Sequence, residues 1–404
     1  MVEGGNGTRP LEGVRVVEMG SLLAGPFCGQ LLADFGAEVI KLEPPGKGDP
    51  MRAWGRHRKE GRTLWWPIIA RNKKSVTINL REDEGQAIAR RLISEADVLV
   101  ENFRPGTLEK WDLGYKALSG INPGLVMVRV SGYGQTGPYK DQAGFGSIGE
   151  AMGGIRHVTG YPDRPPPRVG ISLGDSLAAT FGALGAVTAL YNRETRGGNG
   201  QVVDVGIYEA VLALMESTIP EYALTGHIRS RTGAILPFVA PSNTYPTSDG
   251  DYIVIGANAD TVFGRFAKAL GQPEWAEGER YATHHARGEN QEELDGLISD
   301  WTRQRTAKEV LEVMRVANVP AGKLFTAEDM VSDEQYAARQ NIVTVEDPEI
   351  GPFPMQNVVP RLSETPGEVR WTGPKLGQHN EEVYEKVLGM DEEDLDALRE
   401  RGII

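Results

Sequence analysis

Across 404 residues, the groups able to do covalent or acid–base chemistry are thinly spread. Six histidines show no HExxH or other ligand spacing, and His284 and His285 are neighbours whose side chains need not converge, so no metal site is expected. The lone cysteine, Cys28, lies among small apolar residues and reads as a buried structural thiol rather than a nucleophile. No GxSxG occurs, since Phe145 takes the first glycine position before Ser147, and GKG at 46–48 lacks the Ser or Thr and the upstream glycine of a P-loop. Carboxylates remain. Asp175 stands in GISLGDSLAATFGALGAVTAL (170–190), and two readings are open for it. It can be the N-cap of a helix whose first turn is Ser176–Ala179. It can equally be a nucleophile, with N–H groups of the helix start stabilising an oxyanion beside it. Gly170, Gly174, Ala178, Ala179, Gly182 and Gly185 suit close helix packing, or leave room for a bulky ligand to approach.

A formal net charge of −13 argues against nucleic acid as a partner. Against that background, RAWGRHRKEGR (52–62) and RNKK (71–74) are basic. Charge runs of this kind form solvated surfaces, or they meet an anionic ligand such as a phosphorylated cofactor. One cysteine permits no internal disulfide, which fits a reducing cytoplasm. No run approaches 18 uninterrupted apolar residues, so no membrane span is expected, and MVEGGNGTRP (1–10) reads as a flexible tail rather than a signal peptide.

The elements that must position these groups alternate between strand and helix. VRVVEM (14–19), EVIKLE (38–43), KSVTINL (74–80), ADVLVEN (96–102) and LVMVRV (125–130) read as strands, with helices at 25–36 and 84–95. That order implies a mostly parallel sheet with functional loops after the strand C-termini. The loop GSLLAGP after the first strand is not GxGxxG, although Glu43 sits where a ribose-binding acid could. GFGSIG (144–149) matches the pattern but follows a long polar loop, so a nicotinamide or flavin site is not favoured. The Pro-rich stretch 161–168 is an extended loop, and the Asp175 helix, the strand QVVDVGI and a helix from about 208 follow. SDGDYIVIG (248–256) looks like a hairpin, followed by amphipathic helices, the second with a Thr306–Glu309 capping box. GPFPMQNVVPRLSETPG reads as an extended return linker, and the tail from about 379 as a charged helix.

Taken together, GPFCGQLLADFGAEVIKLEPPGKGD, NKKSVTINL, ADVLVENFRPGTLEKWDLGY, INPGLVMVRVSGYGQTGPY, SLGDSLAATFGALGAVTALYNRETRGGNGQVVDV and YEAV resemble the class III CoA-transferases (CaiB/BaiF) from about residue 11 to 388. This family includes formyl-CoA and carnitine CoA-transferases and is related to α-methylacyl-CoA racemase. The resemblance implies an α/β fold: a large Rossmann-like domain built from both chain ends, a smaller inserted α+β domain, and an interlocked homodimer. The expected divisions are 11–205 for the large CoA-binding domain, 206–229 for a linker helix, and 230–330 for the small domain. A return linker over 331–370 and a C-terminal segment over 371–404 rejoin the large domain.

The resemblance also implies a chemistry. Asp175 matches the family's nucleophile, which attacks a donor thioester to give an aspartyl–acyl anhydride and then an aspartyl-CoA thioester. A carboxylate needs no general base to do this at neutral pH. Coenzyme A or acyl-CoA would be the substrate, with no permanently bound cofactor and a carboxylic acid as the second partner. Matching positions place CoA against Leu23, Ala24, Ile78, Asn79, Leu80, Arg81, Asn102, Phe103, Arg104, Lys110, Ala143, Gly144, Phe145 and Gly146. Arg81, Arg104 and Lys110 would meet its phosphates.

Several positions depart from the relatives. Leu23 replaces the amide side chain of formyl-CoA transferases, Pro44 replaces an arginine, and IGANADTVFG replaces their mobile glycine-rich loop, which argues against formyl-CoA and oxalate. Phe145 replaces the histidine of the racemases, which need two opposed acid/base groups. The readings carried forward are an acyl-CoA:carboxylate CoA-transferase, an α-methylacyl-CoA racemase, and a non-catalytic CoA-binding subunit. Succinyl-CoA and dicarboxylic acids are plausible substrates of the first, with Arg56, His57, Arg229 and Arg231 as candidates for a distal carboxylate.

Overall fold

The computed structural model describes residues 9–404; of the tail expected over 1–10, residues 1–8 lie outside the described residues. The chain divides into two compact units, one from residues 9–155, 169–219 and 337–404, the other from 156–168 and 220–336.

The larger unit is built on six strands: β1 (Arg15–Glu18), β2 (Glu38–Glu43), β3 (Lys73–Thr77), β4 (Val98–Glu101), β5 (Val126–Ser131) and β6 (Val202–Gly206). They hydrogen-bond in the order β3-β2-β1-β4-β5-β6, and every pairing is parallel. This is the order of a Rossmann-type doubly wound sheet. Successive side chains point to opposite faces, and both faces are covered, so the strands are Val- and Ile-rich throughout rather than alternating. Val16, Val39, Val98 and Val128 face one core with helices α1 (Ala24–Asp34) and part of the Asp175 helix. Val17, Ile40, Leu99 and Met127 face the other core, with α2 (Asp83–Ser94) and residues of the C-terminal helices, among them Tyr384, Leu395 and Leu398. Two further helices matter for the site: α3 (Gly146–Met152) and α4 (Leu173–Arg196). Gly197, in the left-handed conformation at φ 61°, terminates α4, whose last turn carries Arg193 and Arg196.

By length and composition alone, α4 could cross a membrane, contrary to the expectation drawn from uninterrupted apolar runs. In the fold it is a core helix, with Ala178, Ala179 and Ala186 fully buried in the cluster beneath the sheet. Its small residues are used for this packing. A Cβ at Gly182 would press on Val128 and Cys28, and one at Gly185 would overlap Val203. At Gly182 and Gly185 they bring helix and sheet together, the close packing this stripe could serve.

The smaller unit has a three-stranded antiparallel sheet in which Ser242–Pro246 pairs with Tyr252–Gly256 as a hairpin, and Tyr252–Gly256 with Ala321–Lys323. Helices 260–269, 291–302 and 307–316 enclose its own core around Tyr245, Ile253, Phe263, Phe266, Leu294 and Val310. Thr306 and Glu309 form the expected capping box, Thr306 N–H donating to Glu309 at 2.8 Å. The chain then returns to the larger unit. Its first stretch is extended in part as a strand: Gly351–Gln356 pairs antiparallel with Ile342–Asp347. The alternating β-branched run IVTVED supplies a partner, and the two-stranded ribbon consists only of edges, where Pro352 and Pro354 are tolerated. The charged tail forms two helices, Asn380–Leu388 and Glu392–Glu400, rather than one.

Candidate functional site

Where strand order reverses between β1 and β4, a cavity of about 310 Å³ opens beyond the strand ends. Met19, Gly20 and Ser21 line it after β1, Leu42–Pro44 at the end of β2, Ile78–Arg81 after β3, and Phe103 after β4, with Asp49, Pro50 and Trp111 closing it. Five of the residues named from sequence therefore share one mostly apolar slot: Ile78, Asn79, Leu80, Arg81 and Phe103. Sequence reading notes Glu43 and Pro44, but not Met19–Ser21, Leu42, Asp49, Pro50 and Trp111. The strand-order rule could have pointed to the loops after β1 and β2, but Trp111 comes into place only through folding, packed edge to face on Phe103 at 5.4 Å.

The segments around the slot are held by backbone bonds. Asn79 donates its N–H to Ile403 O at 2.7 Å, tying the 78–81 segment to the C-terminal residues. Phe103 N–H donates to Glu101 at 2.7 Å, and Arg129 bridges Glu101 to Glu109. Asn102 uses both ends of its amide on Ser21, accepting from its N–H at 2.8 Å and donating to its carbonyl at 2.9 Å. Leu23 packs with Met51 and Trp66, and Ala24 is buried in the core under the sheet, so their side chains face inward. Arg81, Arg104 and Lys110 are exposed, and none of the three forms an ion pair among the described residues. Arg81 lines the slot, and Arg104 and Lys110 adjoin the lining residues Phe103 and Trp111 in the chain.

Asp175 does not line this cavity. Helix α4 begins at Leu173, with Ser172 as its N-cap, so Asp175 is the third helical residue and not the cap. Leu173 and Gly174 are already helical, which moves the helix start upstream of the position read from sequence. Asp175 is half-buried, and its carboxylate lies against Gly146, where a Cβ would overlap both oxygens. The buried Glu150, on α3, accepts the Gly174 N–H at 3.2 Å and joins α3 to the first turn of α4. Gly144 packs face to face on Gly132, bringing the 143–146 segment back onto the end of β5. Ala143, Gly144 and Phe145 are exposed, Phe145 by 52%. The predicted residues thus fall in two groups on the larger unit: the slot with its cations, and the Asp175–Gly146 contact.

None of the other candidates is among the residues lining the slot. Cys28 is fully buried, and burial together with Glu18 pushes its thiol up to about 12, so it is inert. No group of three metal-ligating side chains occurs among the described residues. Arg56 and His57 are exposed on the larger unit, while Arg229 pairs with Glu221 and Arg231 bonds the Tyr161 carbonyl within the smaller one.

A crevice at the switch point of a doubly wound sheet suits a nucleotide-bearing ligand, and the chain-wide pattern decides which. The model of CoA-transferase family III matches residues 11–380. The chain belongs to this family. It is a transferase that moves CoA between an acyl-CoA and a carboxylate. It is 66% identical, over 98% of both chains, to a succinyl-CoA–D-citramalate CoA-transferase of Chloroflexus aurantiacus. A succinate–glutarate CoA-transferase of Agrobacterium fabrum is 35% identical over 93% of this chain and 94% of its own. Among solved structures, a CaiB/BaiF family protein from Brucella suis superposes with a TM-score of 0.84 at 34% identity, covering 94% of this transferase and all of that chain.

Proposed function

We propose that the transferase moves CoA from succinyl-CoA to a short dicarboxylic acid carrying a hydroxyl group, with Asp175 as the covalent carrier. The observation that carries this reading is the Asp175 carboxylate, half-buried at the first turn of α4 and seated on Gly146. The relative acting on D-citramalate, and a 41% identical succinyl-CoA–L-malate CoA-transferase β subunit, support the choice of substrates.

In the reaction, an Asp175 oxygen attacks the thioester carbonyl carbon, the C–S bond breaks, and CoA leaves as thiolate. The thiolate then attacks the Asp175 carbonyl of the mixed anhydride, releasing succinate and leaving an aspartyl-CoA thioester. The acceptor carboxylate displaces the thiolate from that thioester, forming a second anhydride. Attack of the thiolate on the acceptor's acyl carbon gives the new acyl-CoA and restores the Asp175 carboxylate. No proton need be moved, so no histidine is required. The slot would take the adenine end of CoA, with Arg81, Arg104 and Lys110 on its phosphates.

The active form would be a homodimer of interlocked chains. Leu184, Val187 and Tyr191 on the outer flank of α4 are 60%, 41% and 69% exposed, an apolar surface that a second copy would cover.

Mass spectrometry after incubation with succinyl-CoA and a panel of dicarboxylic acids tests the chemistry. The expected result is an acyl or CoA adduct on the Asp175 peptide and a new thioester with a hydroxylated acid. Asp175→Ala should lose turnover and still bind CoA; retained transfer in that variant would sink the assignment.

A further inference from the structure

The loop that leads from β1 into α1 is gripped at successive peptide groups. Lys41 Nζ donates to Gly20 O at 2.7 Å, Asn102 holds both the N–H and the carbonyl of Ser21, and Leu22 N–H donates to Asp49 Oδ1 at 3.1 Å. Leu22 needs such a grip, because its φ of 64° lies in the left-handed region, which a bulky side chain rarely occupies. Rotating the Ser21–Leu22 peptide would relieve Leu22, and the Asn102 and Asp49 bonds both oppose that rotation.

Asp49 is itself fixed from several sides. Its Oδ2 pairs with Lys41 at 2.8 Å, its Oδ1 also accepts Met51 N–H at 2.8 Å, and its own N–H donates to Glu43 at 2.9 Å. Lys41 pairs in turn with Glu18 at 2.9 Å, and all these side chains are buried. A buried ion pair is weak grounds for a stabilising role on its own. This one ends on a strained loop whose Gly20 and Ser21 form a wall of the cavity that Asp49 also lines.

We propose that Asp49 is a positioning residue for CoA binding: paired with Lys41, it locks Leu22 in its left-handed conformation and so fixes the 20–23 loop, whose Gly20 and Ser21 line the slot. The inference rests on the slot being the CoA site. It adds a residue that contacts the loop and not the reacting atoms, so its signature is a KM effect larger than the kcat effect.

The test has two independent readouts. In the native enzyme, hydrogen exchange at the Leu22 amide should be strongly protected; exchange at the rate of an open loop would overturn the clamp, whatever the slot binds. In variants, Asp49→Ala should raise KM for succinyl-CoA and the Kd for free CoA about tenfold, as expected for losing a charge-assisted bond, while kcat falls by less than about threefold. Asp49→Asn keeps an acceptor for Leu22 and should recover most of that loss, within about threefold of native. If Asp49→Ala does not fold, the isosteric Asp49→Asn and the Leu22 exchange rate decide. Folded Asp49→Ala with unchanged CoA affinity would overturn the proposal, as would a fall in kcat alone. Failure of the native enzyme to bind CoA would refute the assignment of the slot instead, and the exchange rate would still report on the clamp.

Discussion

Asp49 and Asp175 are both aspartates of the larger unit, and their surroundings differ. Asp49 is 2% exposed, and its oxygens are taken up by Lys41 and by the N–H groups of Leu22 and Met51. Burial alone would raise its pKa, but Lys41 and the two N–H donors outweigh that and hold it below the usual carboxylate range. Asp175 is half-buried and rests on the flank of a glycine. A carboxylate saturated by a cation and backbone donors is a poor nucleophile and a good clamp. One set against a glycine in the first turn of a helix, half-buried, would suit the role proposed for Asp175. If both proposed roles hold, neighbours alone would assign one residue type to either.

The sharpest way to break it is to remove the glycine seat. Gly146→Ala places a methyl group on the Asp175 oxygens and must push the carboxylate aside. A misplacement of about 1 Å at a reacting group can lower kcat about 100-fold, so a loss of that order is expected, with circular dichroism near native. Gly185→Ala provides the contrast. Its methyl meets Val203 on the buried side of α4, well along the helix from Asp175. It should destabilise the fold by about 1–3 kcal/mol through overpacking and leave kcat much less affected. Equal kcat for Gly146→Ala and the native enzyme would show that the seat does not position Asp175.

Much of this was legible before folding, and the reasons differ by element. The parallel strands could be read because burial on both faces demands near-continuous Val and Ile, as in RVVE and VMVRVS. The Thr306–Glu309 box could be read because both bonds are local. The helix start at Leu173 was misplaced because no side-chain cap marks it, so an aspartate two residues later looked like the cap. Asp49 could not be found at all: its partners are 8 residues away at Lys41 and 27 away at Leu22, and neither spacing carries a local pattern. Leu22 itself gave no signal, since a left-handed leucine has no sequence signature. Motif resemblance named Asp175, whereas composition and periodicity left it between two readings.

The cations of the slot should show a smaller effect than the glycine seat. Arg81, Arg104 and Lys110 are exposed cations without carboxylate partners among the described residues, on a chain of net charge −13. Replacing each by Ala should raise KM for acyl-CoA about three- to tenfold, and the increase should shrink as salt is raised, because exposed charges are screened. Dephospho-CoA adds a sharper comparison: the variant whose penalty disappears with it contacts the 3′-phosphate. A variant with native KM at low salt would remove that residue from the site.

The smallest effect concerns the clamp's own charge and is read as stability against acid. Asp49 and Glu43 are both buried, yet both titrate below their ordinary values: burial opposes ionisation, Lys41 and backbone donors outweigh it for Asp49, and Arg52, Lys41 and Ser75 do so for Glu43. A carboxylate whose folded pKa is depressed adds stability that is fully present above its unfolded pKa, about 4 for these side chains. That contribution falls away as pH drops through the folded value. Thermal melts should therefore show native stability declining steadily below about pH 4, with Asp49 contributing to the decline. Asp49→Asn cannot lose a charge it does not carry, so it should start lower at pH 7 and decline less steeply. Parallel native and variant curves from pH 7 to pH 3 would mean that the Lys41 pair contributes no charge-dependent stability, so that position 49 acts only through its bond to Leu22, which an asparagine also accepts.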